Sequence, residues 1–408
     1  MALKFTRIKG TRDILPPESE VRNQLWQKAR QVLMRYGYGF ITTPTFEATE
    51  LFVRSVGENT DIVEKEMYTF QDRGGRSLTL RPEGTAGVVR AYLENHLIPP
   101  VKLAYYENVF RAEKPQKGRL REFWQIGVEF IGSGDPLADA ETIELGATLL
   151  KEFGFRDLKL EINSIGTPED RKRYREVLLK YLEERREQLC EDCQRRMYRN
   201  PLRVLDCKID APKFKDAPNI LDYLSGESRT HFETVLKYLE SWGISYTINN
   251  RLVRGLDYYT HTVFEFKVEG LGAQDTVLAG GRYDGLVEEL GGPPTPAVGF
   301  ALGEERVIIA LNLSGQPPRP EYFIVTHGDE ARNFAINLLR ELRAEGISVD
   351  MAHTPRSMKS QMKLANRLGV RYVLIIGEDE LQAGKVKIRD MDSGEESLVS
   401  VGELLRRG

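Results

Sequence analysis

Two strand-like stretches, "PVKLAYYENVFR" (residues 100–111) and "REFWQIGVEFIG" (121–132), are separated only by the basic loop "AEKPQKGRL". A parallel pair needs a crossover of about a dozen residues or more, usually a helix. The tight spacing therefore favours antiparallel pairing, which makes the faces of the pair readable. In the second strand Trp124, Ile126, Val128 and Phe130 fall on one face, and Gln125, Gly127 and Glu129 on the other. Gly127, central on the polar face, is expected to let a ligand approach the backbone. The first strand carries the alternating set Tyr105, Glu107, Val109 and Arg111.

A third stretch, "SLTLRPEGT", places Thr79, Arg81 and Glu83 opposite Leu78 and Leu80. Glu83 and Thr85 then stand at a strand end where a helix begins. A carboxylate there is stabilised by the helix dipole, or it receives a ligand ammonium group. Residues 111–122 carry five basic residues against two acidic ones. That balance suits a solvated hairpin tip and equally a grip on polyphosphate, which guanidinium binds bidentately.

The rest of the 408 residues extends beyond one core. "PPESEVRNQLWQKARQVLMRYGY" reads as a helix, and "GFITTPTFE" as a strand that Pro44 bends or places at an edge. "LADAETIELGATLLKEF" reads as a helix and "LKLEINSIG" as a strand. Residues 167–225 change character to charged helix and read as an insertion. Strands resume at "ISYTIN" and "HTVFEFKV", separated by "LVRGLDYYT" (252–260), where Gly255 permits a turn and Asp257 braces it. "NLSGQPPRPE" is a linker, placed at 313–320. Beyond it strands and helices alternate as a small α/β domain, 321–408.

The formal net charge of −3 argues against a coat on nucleic acid but leaves room for a local basic groove. The amino terminus lacks an apolar leader pattern, and no apolar run approaches the roughly 18 residues of a membrane span. Cys190, Cys193 and Cys207 fit a reducing cytoplasm better than a disulfide framework. Three zinc ligands are available there, but no fourth is evident nearby, so no metal site is assigned. The five histidines are scattered, there is no phosphate-binding glycine loop, and "RSMKS" at 356–360 reads as an ordinary helix start rather than a synthetase signature loop.

Over essentially its whole length the chain resembles the bacterial histidyl-tRNA synthetases, which are class II aminoacyl-tRNA synthetases. The first helix with "GFITTPTFE" resembles motif 1, "FRAEKPQKGRLREFWQIGVEF" motif 2, and "AVGFALGEER" motif 3. "LVRGLDYYT" and "AGGRYDGLV" are similar to two segments peculiar to the histidine enzymes. The resemblance implies an α+β chain. Its antiparallel-sheet catalytic domain would comprise 1–166 and 226–312, interrupted by a helical insertion at 167–225 lying against the tRNA acceptor arm. An α/β anticodon-binding domain would follow. It further implies a cytoplasmic homodimer formed through motif 1, and as partners L-histidine, ATP with Mg2+, and tRNA(His).

By the same resemblance Arg111 and Arg254 hold the α-phosphate, with Arg306 at the γ-phosphate and Glu113 and Arg119 assisting. A neutral imidazole has a donor on one side and an acceptor on the other. Glu129 and Tyr259 fit those roles, with Tyr258 adjacent and Tyr283 lining the ring. Glu83, Thr85 and Gln125 are assigned to the α-amino group. Lys114, Lys117, Arg119 and Arg121 form the basic hairpin tip, where Gln116, Lys117 and Arg121 are expected to meet tRNA. Two rival readings are a catalytically silent regulatory subunit of ATP phosphoribosyltransferase and a class II synthetase for another amino acid. The regulatory relatives typically lack the carboxy-terminal domain and the arginine equivalent to Arg254, both of which this chain has. The tyrosine pair and Glu129 argue against the second.

Overall fold

The structure, a computed structural model, describes residues 5–58, 60–205, 207, 209–269, 271 and 275–406. The extreme amino terminus read above for a leader, residues 1–4, lies outside them. The chain forms two compact units, 1–315 and 316–408.

The first unit opens with helix α1 (Glu18–Arg35), whose buried stripe Val21, Leu25, Ala29, Val32 and Leu33 follows the 3.6-residue period. The stretch "GFITTPTFE" does not make one strand. Its start is β1 (Gly39–Phe40), its end is β2 (Phe46–Ala48), and the two belong to different sheets. Pro44 lacks the N–H a ladder needs, so the chain leaves one sheet there and enters another. β2 pairs with β4 (Ser77–Leu80), which also pairs with β3 (Thr69–Gln71). Helix α2 (Thr49–Val56) follows β2, and α3 (Thr85–Glu94) follows β4.

The main sheet has eight strands. In spatial order they are β1, β5 (Val101–Phe110), β6 (Glu122–Ile131), β11 (Ala297–Gly303), β10 (Thr276–Arg282), β9 (Thr260–Lys267), β7 (Lys159–Ser164) and β8 (Thr247–Ile248). β5 and β6 pair antiparallel from Val101↔Ile131 to Phe110↔Glu122, as the short loop requires. Its two edge pairs, β1–β5 and β7–β8, are parallel, and the other pairs are antiparallel. Helices α1, α4 (Pro136–Phe153) and α7 (Gly226–Ser241) pack a continuous core with the sheet through Ile126, Val128, Phe264, Phe266 and Phe300. The other face is left for polar chemistry.

"LVRGLDYYT" is not a hairpin turn. β7 lies between β8 and β9, so the segment is a connection that passes β7. Gly255 keeps an ordinary backbone, outside the left-handed region. Asp257 does brace the segment, through an Asn200 side-chain amide donating to Asp257 Oδ1 at 3.3 Å and an Asp257 N–H donating to Val56 O at 3.1 Å.

Residues 167–225 contain α5 (Pro168–Glu183), α6 (Glu191–Arg196) and several single 3₁₀ turns. α5 starts in a reciprocal capping box between Thr167 and Asp170. The second unit places β12 (Tyr322–Thr326) between β13 (Val349–Met351) and β14 (Tyr372–Ile376), all parallel. β15 (Lys385–Asp390) and β16 (Glu396–Ser400) add antiparallel. The parallel sheet expected there is thus extended on one side by two antiparallel pairings. "RSMKS" is a helix start, with Ser357 as the N-cap of the 358–368 helix.

Candidate active site

A cavity of about 590 Å³ opens on the polar face of the main sheet. Glu83, Thr85, Arg111, Glu113, Arg119, Gln125, Glu129, Arg254, Tyr258, Tyr259, Tyr283 and Arg306 all line it. They come from β6, the starts of α3 and of the 304–310 helix, the hairpin loop, the 252–260 connection and the segment after β10. Gln116, Lys117 and Arg121, with Lys114, do not line it. Lys117 and Gln116 are exposed at the hairpin tip. Arg121 donates to Glu113 O and Lys9 O, each at 3.3 Å, so its guanidinium braces the loop against the amino-terminal segment.

At one end Glu129 is fully enclosed on β6. Thr85 Oγ1 donates to Glu129 Oε1 at 2.7 Å, Tyr105 Oη to the same oxygen at 3.4 Å, and Tyr283 Oη to Oε2. Burial pushes the Glu129 carboxyl up to about 8, against the lowering effect of these donors. Gly299, paired with Glu129 across the ladder, makes this arrangement possible, because a Cβ there would sit 2.1 Å from Glu129 Oε2. Gly127 serves differently from expectation. The ring of Tyr105, its ladder partner on β5, lies over it, and a Cβ would meet Tyr105 Cζ at 2.1 Å. A tyrosine, not a ligand, occupies the space.

Glu83 caps α3, accepting from Thr85 N at 2.7 Å and Ala86 N at 2.9 Å while facing the cavity. The dipole role and the ligand-facing position are therefore both available to one carboxylate. Burial raises its pKa despite those bonds. Tyr258 packs against Tyr259 (centroids 4.7 Å) and edge-on to Tyr283 (5.6 Å).

The cations stand along the remaining wall. Arg254 pairs through Nη1 with Glu265 on β9 and lies 5.8 Å over the Tyr259 ring. Glu265 also accepts from Thr276 Oγ1 at 2.7 Å, and Arg306 Nε donates to Thr276 O at 2.6 Å. A short chain of contacts thus links the two arginines. Arg111 is oriented by a 2.9 Å bond to Pro82 O and by the Phe123 ring at 5.5 Å. Arg119 pairs with Glu113 at 2.9 Å. Two buried polar atoms of this wall, Arg254 Nε and Gln125 Oε1, have no hydrogen-bond partner among the described residues. Such atoms call for a partner, and both residues line the cavity.

Sequence reasoning missed Glu265, Tyr105 and Glu305. Glu265 shares a face of β9 with Val263 and Lys267, so the alternation of "HTVFEFKV" carried that signal. Glu305 accepts from Trp124 N and from Arg22 Nη2, the latter at 2.9 Å, while Arg22 Nη1 reaches Glu304 Oε2 at 2.5 Å. This buried cluster ties α1 to the base of the 304–310 helix that carries Arg306.

Residues 10–307 match the family model described as histidyl-tRNA synthetase. The chain belongs to the histidyl-tRNA synthetase family. Residues 321–407 match the anticodon binding domain model. A histidine–tRNA ligase of Desulforamulus reducens is 50% identical, with 98% of each chain covered. The Bacillus subtilis histidine–tRNA ligase is 48% identical, covering 97% of this chain and 96% of its own. The apo histidyl-tRNA synthetase of S. aureus superposes with a TM-score of 0.82 at 39% identity, over 100% of this chain and 99% of that one. A Bacillus halodurans structure described as an ATP phosphoribosyltransferase regulatory subunit/histidyl-tRNA synthetase superposes at 0.67 with 26% identity, covering 92% of this chain and 99% of its own. The α+β class with an antiparallel catalytic sheet is thus the synthetase fold. No described helix is long and apolar enough to cross a membrane.

Proposed function

We infer that the chain is a histidine–tRNA ligase. In the first step a histidine carboxylate oxygen attacks the α-phosphate of ATP, and pyrophosphate leaves as histidyl-adenylate forms. In the second, a terminal ribose hydroxyl of tRNA(His) attacks the histidyl carbonyl and AMP leaves. Displacement at phosphorus is accelerated mainly by positioning and charge stabilisation. The observation that carries the reading is the division of one cavity. An enclosed carboxylate with phenols and hydroxyls forms one part, and Arg111, Arg119, Arg254 and Arg306, with Arg254 Nε unpaired among the described residues, form the other.

In this reading Glu129 and Tyr259 take the two sides of the imidazole, and Tyr258 and Tyr283 line the ring. Glu83, Thr85 and Gln125 receive the ammonium group, for which the orphaned Gln125 Oε1 is a ready acceptor. Arg111 and Arg254 hold the α-phosphate. Arg306, Arg119 and Glu113 hold the outer phosphates. Of the cavity carboxylates, Glu113, Glu265 and Glu305 are each engaged by an arginine already. Among the described residues the cavity holds no close carboxylate cluster to cage Mg2+, which suits a magnesium ion that arrives on the nucleotide and keeps several waters.

The same reading gives the chain a four-part organisation: catalytic residues 1–166 and 226–312, insertion 167–225, linker 313–320 and anticodon-binding residues 321–408. It works as a cytoplasmic homodimer and meets tRNA through the exposed Gln116 and Lys117, with Arg121 supporting the loop from below. ATP–pyrophosphate exchange tested with each amino acid separates the readings. Exchange with histidine alone supports this one, exchange with none favours the regulatory subunit, and exchange with another amino acid reassigns the pocket.

A further inference from the structure

Cys190, Cys193, Cys207 and Asp210 converge in the insertion, with one ligand atom from each lying within 4.8 Å of every other. The spacing is a pair of knuckles, Cys-x-x-Cys and Cys-x-x-Asp, and the second knuckle supplies the fourth ligand that a search for cysteine and histidine alone overlooks. We propose that these four side chains bind a zinc ion in a closed tetrahedral site that staples the insertion.

The geometry is close to what such an ion requires. Zinc–sulfur bonds of about 2.3 Å in a tetrahedron place sulfurs about 3.8 Å apart, and Cys190 Sγ and Cys207 Sγ stand 3.9 Å apart. Cys193 and Asp210 are fully buried. Asp210 is already oriented, with Oδ2 accepting from Cys190 N at 2.9 Å and Oδ1 from Lys213 Nζ at 2.7 Å. A carboxylate has lone pairs to spare beyond these bonds. Three thiolates and a carboxylate overbalance a divalent cation by two charges, and the Lys213 ammonium offsets one. Thiolate-rich, four-ligand sites with no open position favour zinc in a structural role.

The surroundings say why a staple is useful. The described residues of 184–224 hold one six-residue helix and single 3₁₀ turns, so little regular backbone structure fixes them. Between the knuckles run Arg196 and Arg203, which reach Asp61 at 2.9 and 3.1 Å, and Asn200, which reaches Asp257. Asp61 and Arg203 line the cavity, and Asp257 follows the lining residues Arg254–Leu256. An ion at the knuckles would therefore hold a wall of the site without touching substrate.

The full-length chain, purified under reducing conditions without chelator, is expected to carry about one zinc per chain. After zinc removal, titration with Co2+ alone should give thiolate-to-cobalt charge-transfer absorption and the intense visible bands of a tetrahedral site. Asp210→Ala and Cys207→Ser should each weaken Co2+ binding by about tenfold or more. Because a buried substitution can compromise folding, the partly exposed Cys190→Ser variant and the cobalt spectrum of the unmodified chain are measured alongside. A zinc-free chain showing no charge-transfer band, a Cys190–Cys207 disulfide, or iron in place of zinc would each overturn the proposal.

Discussion

Tyr283 donates its hydroxyl hydrogen to Glu129 Oε2, joining β6 to the segment after β10 at the enclosed end of the cavity. The pair meets in a space that Gly299 leaves open, and Thr85 holds the other carboxylate oxygen. Selection of an imidazole depends on keeping that carboxyl group in place before the ligand arrives. Glu129→Gln preserves shape and removes the ionisable group. Its expected effect is a roughly 10- to 100-fold loss in kcat/KM for histidine, the scale of a charge-assisted hydrogen bond. An unchanged kcat/KM would remove Glu129 from recognition.

The same residue makes stability pH-dependent. Burial pushes its pKa up to about 8 from an ordinary value near 4.5. A raised folded-state pKa means that the native state holds the proton more tightly than the unfolded chain. The associated stability is full below about pH 4.5 and is lost as pH rises towards 8. Glu304, pushed up to about 7 chiefly by burial, acts in an overlapping window, so the difference between wild type and Glu129→Gln isolates one group. The ligand-free wild type should lose more Tm between pH 5 and 8.5 than the variant does. Parallel curves would show that Glu129 titrates near its ordinary value.

Arg254 is expected to act on the reaction more than on binding. Arg254→Ala should slow single-turnover adenylate formation by about 10²-fold or more, as lost oxyanion donors do, while equilibrium histidine binding persists. Truncation also deprives the half-buried Glu265 of its ion-pair partner, and an uncompensated charge there destabilises by itself. Pairing the change with Glu265→Gln removes that cost. If the double variant recovers Tm but not the rate, the arginine acts on the reacting phosphate. A single-turnover rate within a few-fold of wild type would sink that role.

Gly127 tests how far one strand can be read alone. Alternation in "FWQIGVEFI" correctly placed Gln125 and Glu129 on the cavity face, because a pleated strand allows no other outcome once Ile126 and Val128 enter the core. What alternation on β6 cannot report is which side chain β5 lays across it, so Tyr105 could be placed on a face but not over Gly127. Glu265 was equally out of reach as the partner of Arg254 until the 252–260 connection was seen to pass β7. Gly127→Ala should cost about 1–3 kcal/mol by overpacking against the Tyr105 ring. Adding Tyr105→Leu should restore part of the lost Tm in thermal unfolding, and no recovery would mean that the ring is not what the methyl group meets.

Gln125 provides a case in which stability and function pull apart. Its Oε1 is buried without a partner in the ligand-free chain, and an unpaired buried acceptor costs about 1–3 kcal/mol. Gln125→Leu removes that acceptor at similar volume and lets an apolar group meet the neighbouring walls. The variant should therefore unfold at the same temperature as wild type or higher. Its affinity for histidine should fall about tenfold or more, because the ammonium loses the acceptor that was waiting for it. Calorimetric titration with histidine and a thermal melt of the same sample give the two numbers. A stabilised variant that still binds histidine normally would mean that the ammonium group is received by Glu83 and Thr85 without Gln125.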